Sequence, residues 1–269
     1  MICRLKTAWE YFFHARSRLP RERARTILSQ RITDINSINN LKAGACVICG
    51  GKDFSFQPVL WPELIQEWEL GEHEVDYINR QQGHSCRGCG SSMRVRVLAH
   101  AILSALSKRC TFASFIHSGV CRQLKILEIN KAGNLYEFLK GHSGHMLVEY
   151  PEYDMMALNL PDDHFDLVIH SDTLEHISDP LKALRECFRV LKEGGKLFFT
   201  IPLIVDRPTR FRKGLPPSYH GSPDCGAADC RVHTEFGSDA WKLVLEAGFK
   251  SLKIHAQEYP AGMAYEADK

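Results

Sequence analysis

The chain has 269 residues, of which 44% are hydrophobic, and its formal net charge is +2 at pH 7. This length and composition suffice for one substantial core with a second, smaller module beside it. The nearly neutral charge excludes a whole-protein electrostatic argument for binding nucleic acid or membranes. No run of about 18 apolar residues appears, so we expect no membrane-spanning helix.

Basic side chains dominate the start of the chain. Residues 1–33 carry only Glu10 and Glu22 against Arg4, Lys6, Arg16, Arg18, Arg21, Arg23, Arg25 and Arg31. We interpret residues 1–45 as a basic helical segment whose charged face is either solvated or meets an acidic partner. The opening residues lack the apolar region and the cleavage site of a secretion signal, so we expect a cytoplasmic protein.

Two CxxC pairs follow, CVICGG at residues 46–51 and CRGCG at residues 86–90. Thiolates in such turns converge on one ion, and two turns together supply a tetrahedral site. The pairing therefore predicts a structural zinc ion in a zinc-ribbon-like module over residues 46–95, with ligands Cys46, Cys49, Cys86 and Cys89. A redox pair and an iron centre remain as alternatives.

The residues after the second pair have apolar side chains at helical spacing. This pattern predicts a connecting helix, within residues 96–119, that leaves the module and packs on a larger domain over residues 120–269.

Apolar strands alternate with helices in that larger domain. The strand candidates are LKILEI at 124–129, HMLVEY at 145–150, FDLVIH at 165–170, KLFFTIP at 196–202 and KSLKIHA after residue 249. Such alternation predicts a parallel, doubly wound sheet, because the strands are buried on both faces. Sheets of this kind bind ligands beyond the carboxyl ends of their strands.

Several strand tips carry suitable residues. After the first strand, Ala132 and Gly133 are small, and Asn130 tolerates left-handed backbone conformations. Glu149 ends the second strand, where a carboxylate can accept hydrogen bonds from both hydroxyls of a ribose. A solvated loop glutamate is the competing interpretation of Glu149.

The span from about Leu124 to Phe249 resembles the class I S-adenosylmethionine-dependent methyltransferases. Its carrying residues are LKILEINKAG, LNLPDDHFDLVIHSDTLEHISDPLKALRECFRVLKEGGKLFFTIP and LVLEAGF. The resemblance implies an α/β, doubly wound, mostly parallel Rossmann-like methyltransferase sheet and S-adenosylmethionine as cofactor. It also implies contacts with four parts of the cofactor. The turn with Glu128, Asn130 and Gly133 would contact the methionine part, and Glu149 would contact the ribose. Asp154 and Met155 would contact the adenine, and His170 and Ser171 would lie beneath the sulfonium.

The chain departs from the family pattern in three respects. Asn130, Ala132 and Asn134 stand where the family usually has GxGxG. The short interval from Glu149 to Asp154 leaves room for only a turn between the second and third strands. The tail after Ala256 looks too short for the usual closing antiparallel hairpin, unless its last strand is very short.

Acidic residues and a histidine follow the FDLVIH strand. His176 is the obvious base for a methyl acceptor, and a histidine capping the next helix is the competing interpretation. Asp172, Glu175 and His176 also match the ExxEH pattern with which a subset of the family binds a divalent ion, so a second metal there is an open possibility.

The segment from Asp206 to Gly237 is rich in Pro and Gly and should cover the substrate side. Arg207, Arg210, Arg212 and Lys213 either hold an anionic group or are solvated. Tyr219, His220 and His233 are candidate substrate contacts.

We therefore expect an enzyme that transfers a methyl group from S-adenosylmethionine to an oxygen or nitrogen of a small-molecule or glycan-linked acceptor, with Asp172, Glu175 and His176 as catalytic residues. The glycan expectation comes from a resemblance to bacterial methyltransferases with an N-terminal CxxC…CxxC segment. One alternative is an RNA methyltransferase whose zinc module grips the phosphate backbone, although few basic and aromatic residues interleave there. The other is a non-catalytic binding protein that has kept the fold.

Overall fold

The computed structural model describes residues 44–219 and 230–269. The predicted basic segment, residues 1–45, lies almost entirely outside the described residues. Within the described ranges, no helix has both the length and the apolar character needed to cross a membrane.

Seven α-helices and thirteen strands are assigned in these ranges. The helices are α1 Pro62–Glu67, α2 Glu72–Gly83, α3 Met93–Ala105, α4 Phe112–Ile116, α5 Tyr136–Leu139, α6 Pro180–Val190 and α7 Trp241–Glu246. The strands are β1 Phe54–Phe56, β2 His84–Cys86, β3 Ile126–Ile129, β4 His145–Val148, β5 Phe165–Ser171, β6 Leu191–Thr200, β7 Leu203–Ile204, β8 Arg210–Phe211, β9 Ser218–Tyr219, β10 Arg231–Val232, β11 Thr234–Gly237, β12 Ser251–Gln257 and β13 Gly262–Asp268.

Six strands form the central sheet, in the order β12-β13-β6-β5-β3-β4. Strands β4, β3, β5 and β6 are parallel to one another, while β13 is antiparallel to both β6 and β12. The sheet confirms the predicted mostly parallel, Rossmann-like α/β fold. After β3 the chain first adds β4 on one side and then β5 on the other, so the strand order reverses between β3 and β5.

Helices cover both faces of this sheet, as expected of buried parallel strands. One core joins α6 and α7 to sheet residues such as Val168, Leu197 and Phe199. The other joins α3, α4 and α5 to Leu167, Ile169 and Phe198, the alternate residues of the same strands. The predicted connecting helix is α3, which packs on β13 and β6, and a separate short helix, α4, follows it.

Two details of the C-terminal domain differ from the sequence-based expectations. The tail does form the closing antiparallel hairpin: β12 and β13 have seven residues each and pair along their whole length. The expectation was wrong because the strand was assumed to end near Ala256, which left its partner too short. Between Val148 and Phe165 no strand or helix is assigned, so Met155 follows a loop rather than a strand.

The N-terminal excursion between the two CxxC pairs packs on the segment that follows β6. Leu64, Trp68 and Tyr77 of this excursion share a third core with Ile204 and Val232. Polar contacts join the same two segments: the Trp68 indole N–H donates to Ser218 Oγ at 2.9 Å, and the Tyr77 hydroxyl donates to the Leu203 carbonyl at 3.2 Å. The excursion therefore helps to shape the region beyond the carboxyl ends of the sheet.

Candidate cofactor and metal sites

A cavity of about 500 Å³ lies at the carboxyl ends of β3, β4 and β5, next to the reversal of strand order. Doubly wound sheets bind their ligands at this position, and the volume lies within the usual range for small-molecule sites. The lining combines backbone and side-chain polar groups with a few apolar side chains: Ile129, Asn130, Lys131, Glu149, Tyr150, Tyr153, Asp154, Met155, Met156, Ser171, Asp172, Thr173, His176, Ile177, Ser178 and His233.

Five of the eight predicted cofactor residues line this cavity: Asn130, Glu149, Asp154, Met155 and Ser171. Asn130 takes a left-handed conformation (φ 53°), and its Oδ1 accepts a hydrogen bond from the Tyr150 N–H at 3.1 Å, so the β3 and β4 tips are tied together. The Glu149 carboxylate lies 3.6 Å from Lys131 Nζ, and both side chains remain partly exposed. The exposed part of this carboxylate is accessible to ribose hydroxyls from the cavity.

Glu128 and Gly133 do not line the cavity, and the reason is the packing of the turn. Glu128 is fully buried; its Oε1 accepts the Ala132 N–H at 2.8 Å and its Oε2 accepts a hydrogen bond from His145 Nε2 at 2.7 Å. Gly133 has φ 55°, and a Cβ there would lie 2.8 Å from Val95 Cγ2 of α3. Both residues shape the turn instead of contacting a ligand.

His170 is also absent from the cavity lining. Its ring is fully buried and stacks on Phe199, with ring centroids 5.0 Å apart. Burial lowers the pKa of His170 to about 3, so the imidazole is neutral at physiological pH. The His170 side chain therefore faces the core rather than the cavity; of the two residues at this strand tip, Ser171 lines the cavity.

Asp172 lines the cavity, but its carboxylate is turned toward residues from the N-terminal part of the chain. It forms an ion pair with Arg94 of α3 and accepts a hydrogen bond from Gln82 Nε2 of α2 at 2.7 Å. No local sequence pattern indicates this role for Arg94 or Gln82, because both lie far along the chain from the strand tips. Asp172 has φ 46°, a conformation that non-glycine residues rarely adopt.

Glu175 is buried next to this pair. Its carboxylate has no hydrogen-bond partner among the described residues. Burial raises the pKa of Glu175, and the negative charge of Asp172 raises it further. Glu175 does not line the cavity, so contact of this carboxyl group with an acceptor is not supported.

The possibility of a second divalent ion at Asp172, Glu175 and His176 is not supported either. Within the described ranges, the donor atoms that converge as a potential metal site belong to the four cysteines. The Asp172 oxygens already bind Arg94 and Gln82, and Glu175 is buried outside the cavity lining.

Two imidazoles lie on the other side of the cavity. His176 and His233 both line it, and His176 Nδ1 lies 3.1 Å from the Arg231 carbonyl oxygen, to which it donates. The His233 backbone N–H donates to the Glu175 carbonyl at 2.7 Å, which fixes the strand beside the turn of His176. Burial, together with the positive charge of Arg231, lowers the pKa of His233.

The predicted anion-binding arginines of the segment after β6 are engaged within the protein. Arg207 pairs with Glu74 at 3.1 Å, and Arg210 pairs with Glu235 at 2.7 Å. Arg212 is buried and forms ion pairs with Glu235 and with Glu67. Arg207 and Arg212 hold the segment against α2 and α1, whereas Arg210 pairs within the segment.

The four cysteines lie together beside the antiparallel pair of strands β1 and β2. Their Sγ atoms all lie within 4.8 Å of one another, with Cys46 to Cys89 at 3.8 Å and Cys49 to Cys86 at 3.6 Å. A tetrahedral zinc with Zn–S bonds of about 2.3 Å separates its sulfurs by roughly 3.8 Å. The donor set and its spacing therefore fit a structural zinc ion. The long excursion between the pairs consists of β1, α1, α2 and β2.

Comparison with known proteins agrees with this architecture. Residues 117–199 match the family described as "Methyltransferase domain". The chain is 43% identical over 135 residues to the ubiquinone/menaquinone biosynthesis C-methyltransferase UbiE of Proteus mirabilis, covering 49% of each chain. It is 46% identical over 124 residues to UbiE of Vibrio vulnificus, covering 45% of this chain and 43% of the relative. The chain thus spans about half the length of the curated relatives it matches.

The solved structures that the chain resembles are more distant. A possible histamine N-methyltransferase from Thermotoga maritima has 17% identity and a TM-score of 0.35, covering 66% of this chain and 98% of the other. A TM-score this low adds nothing to the assignment. The sheet order shows a Rossmann-like α/β fold, and residues 117–199 within it are similar to the methyltransferase domain.

Proposed function

We propose that the protein transfers a methyl group from S-adenosylmethionine to a small-molecule acceptor. One observation carries the proposal: the cavity at the reversal of strand order is lined by Asn130, Glu149, Asp154, Met155 and Ser171, all of which the family resemblance assigns to the cofactor. Because pocket and residues coincide at the position where doubly wound sheets bind ligands, cofactor binding is the simplest use of the cavity.

The residues present fit this cofactor. Glu149 is positioned to accept hydrogen bonds from the ribose hydroxyls, and the Asp154–Met156 loop offers a carboxylate and apolar surface to an adenine. When bound, the cofactor supplies a methyl group already activated on a sulfonium. The protein's remaining task is then to position a nucleophile and to accept its proton.

His176 is the proposed base. It lines the cavity; its Nδ1 donates to the Arg231 carbonyl, and its Nε2 lies 3.7 Å from the buried Glu175 carboxyl group. Imidazole is the side chain best suited by residue type to accept a proton near neutral pH. His233 stands on the same wall with a lowered pKa and is the second candidate. A wall that carries two imidazoles suits an acceptor that must lose a proton as the methyl is transferred.

We retain an oxygen or nitrogen of a small-molecule or glycan-linked compound as the acceptor. Transfer to carbon is the second candidate, and the names of the UbiE relatives favour it. An activated ring carbon also loses a proton on methylation, so the same histidines would serve either reaction.

The structure favours a small acceptor over RNA. Of the three arginines near the second CxxC pair, Arg94 pairs with Asp172 and Arg96 is buried against His84, which leaves Arg87 exposed. A nucleic-acid site needs basic side chains that face solvent together.

We also propose that residues 46–95 form a module built around a structural zinc ion held by Cys46, Cys49, Cys86 and Cys89. The four Sγ atoms lie within 4.8 Å of one another with no disulfide between them, which is the arrangement that four zinc ligands require.

Two measurements test the proposed function. Calorimetric titration with S-adenosylmethionine should show binding; no heat and no thermal shift at millimolar cofactor would leave only a non-catalytic protein with this fold. Incubation of cell extract with protein and isotopically labelled cofactor should then reveal, by mass spectrometry, a compound that gains the labelled methyl. His176→Asn should abolish the labelling while retaining cofactor binding, and equal labelling by this variant would exclude His176 as the base.

A further inference from the structure

Two residues that line the cavity have unfavourable backbone conformations. Asn130 at the tip of β3 has φ 53°, and Asp172 at the tip of β5 has φ 46°. Non-glycine residues keep such conformations only where their surroundings hold them. The contacts that hold these two tips therefore set the shape of the cofactor site.

The turn after β3 packs against the second CxxC pair. Asn134 Nδ2 donates to the Cys89 carbonyl oxygen at 2.8 Å. The approach is so close that a Cβ at Gly90, which has φ 72°, would lie 2.4 Å from Asn134 Nδ2. At the other side of the turn, Gly133 packs on Val95 of α3. The residues that replace the usual glycine-rich turn thus contact the cysteine module directly.

The tip of β5 is held from the same direction. Arg94, in the first turn of α3, forms an ion pair with Asp172, and the two side chains are only 18% and 6% exposed. Gln82, at the end of α2, donates to the same carboxylate at 2.7 Å. Because water has little access, this pair is poorly screened and fixes the Asp172 side chain firmly.

The CxxC turn and α3 are joined into one piece. Gly90 N–H donates to the Cys86 carbonyl at 2.7 Å within the turn. Arg96 is buried, and its guanidinium donates to the Ser91 carbonyl at 3.1 Å and to the His84 carbonyl at 3.0 Å. A change in the cysteine site is therefore transmitted to α3 and to Arg94.

We propose that the four-cysteine module is part of the cofactor-binding apparatus, with Asn134 and Arg94 as positioning residues that couple metal loading to cofactor affinity. The inference rests on the proposed cofactor and the proposed zinc ion. Neither residue lines the cavity, so each acts through the strand tip that it holds.

The test is calorimetric titration of the full chain with S-adenosylhomocysteine. Asn134→Asp keeps the size of the side chain but places an oxygen against the Cys89 carbonyl, and we expect affinity about tenfold weaker or more. Glu137→Gln is the control, because Glu137 is exposed and pairs only with Lys140 in the same segment.

Arg94 is tested in parallel. Arg94→Met should weaken binding about tenfold, and Arg94→Lys should recover part of the loss because it keeps the charge. Arg87→Met, which removes an exposed cation from the same module, should bind as the parent does. If Arg94 acts through Asp172, the Arg94→Met, Asp172→Asn double variant loses less than the sum of the two single losses.

Metal removal completes the experiment. Protein stripped of zinc by a chelator should bind S-adenosylhomocysteine at least about tenfold more weakly, and added zinc should restore the affinity. Circular dichroism verifies that each protein compared is folded. If Asn134→Asp is unfolded, the affinities of the Arg94 variants test the proposal instead. If the folded variants and the stripped protein bind within twofold of the parent, the coupling is wrong while the proposed function stands. If the parent itself does not bind, both fall.

Discussion

Glu128 and His145 lie side by side on neighbouring parallel strands, with His145 Nε2 2.7 Å from Glu128 Oε2 and both side chains buried. The other Glu128 oxygen accepts the Ala132 N–H. One buried carboxylate therefore connects β4 to the turn that borders the cofactor cavity.

Replacing this carboxylate should loosen the turn. Glu128→Ala leaves the Ala132 N–H and the His145 ring without their partner, at a cost of about 1–3 kcal/mol, and we expect weaker S-adenosylhomocysteine binding as well. Glu128→Gln should lose much less, because its oxygen can still accept from Ala132. Calorimetric titration and thermal denaturation measure both effects, and equal behaviour of the two variants would contradict this role.

The proposed ribose contact can be separated from general loop effects. Glu149→Ala should weaken cofactor binding by about 1.5–3 kcal/mol, which corresponds to roughly 10- to 150-fold, because it removes a charged acceptor. Glu152→Ala is the matched control: it changes an exposed glutamate three residues away that does not line the cavity. Calorimetry on the two variants should separate them clearly, and similar affinities would refute the ribose assignment.

The cysteine site should bind one zinc ion per chain. Cys86→Ser should abolish the bound metal and lower the Tm by several degrees, because the metal's binding free energy stabilises the folded module. Cys110→Ser, at a free cysteine outside the cluster, should keep both. Elemental analysis and thermal denaturation give the answer; well under one zinc per chain in unchelated parent protein would count against the site.

Glu175 should give stability a recognisable pH dependence. The pKa of Glu175 is raised in the folded protein, so the folded state binds the Glu175 proton more tightly than the unfolded state does. The parent protein is therefore most stable with respect to this group at low pH. That stability is lost progressively as the pH rises above 4.5, the ordinary pKa of a glutamate. Glu175→Gln cannot ionise, so its stability relative to the parent should increase as the pH rises above about 4.5. Denaturant unfolding across this range tests it, with exposed Glu152→Gln as control; a difference independent of pH would exclude the buried acid.

The segment after β6 should depend on Arg212. Arg212→Met leaves the buried Glu235 with only Arg210 as a partner, and we expect a loss of about 3 kcal/mol. Lys213→Met changes the exposed neighbouring cation and should have little effect. Urea unfolding of both variants distinguishes a structural arginine from one that serves to bind an anionic ligand. Replacing an arginine of the second kind would leave the free energy of unfolding almost unchanged.

The sequence by itself determined the fold class and the positions of two candidate sites. Buried strands such as FDLVIH can be predicted from their local hydrophobic pattern. The spacing of two CxxC motifs indicates four thiolate ligands around one metal ion. The residues at the strand tips could also be located, because parallel strands must place their carboxyl ends at one edge. Asn130, Glu149, Asp154 and Ser171 line the cavity for this reason.

Only the tertiary structure decided which way the side chains face and what they contact. His170 and Glu128 are at the predicted tips but are turned into the core, because successive residues of a strand point to opposite faces. There His170 stacks on Phe199, and Glu128 accepts a hydrogen bond from His145. Arg94, Gln82 and Asn134 acquire their roles from contacts between segments distant in the chain. No local pattern encodes such contacts, since they depend on how the cysteine module and α3 pack against the sheet.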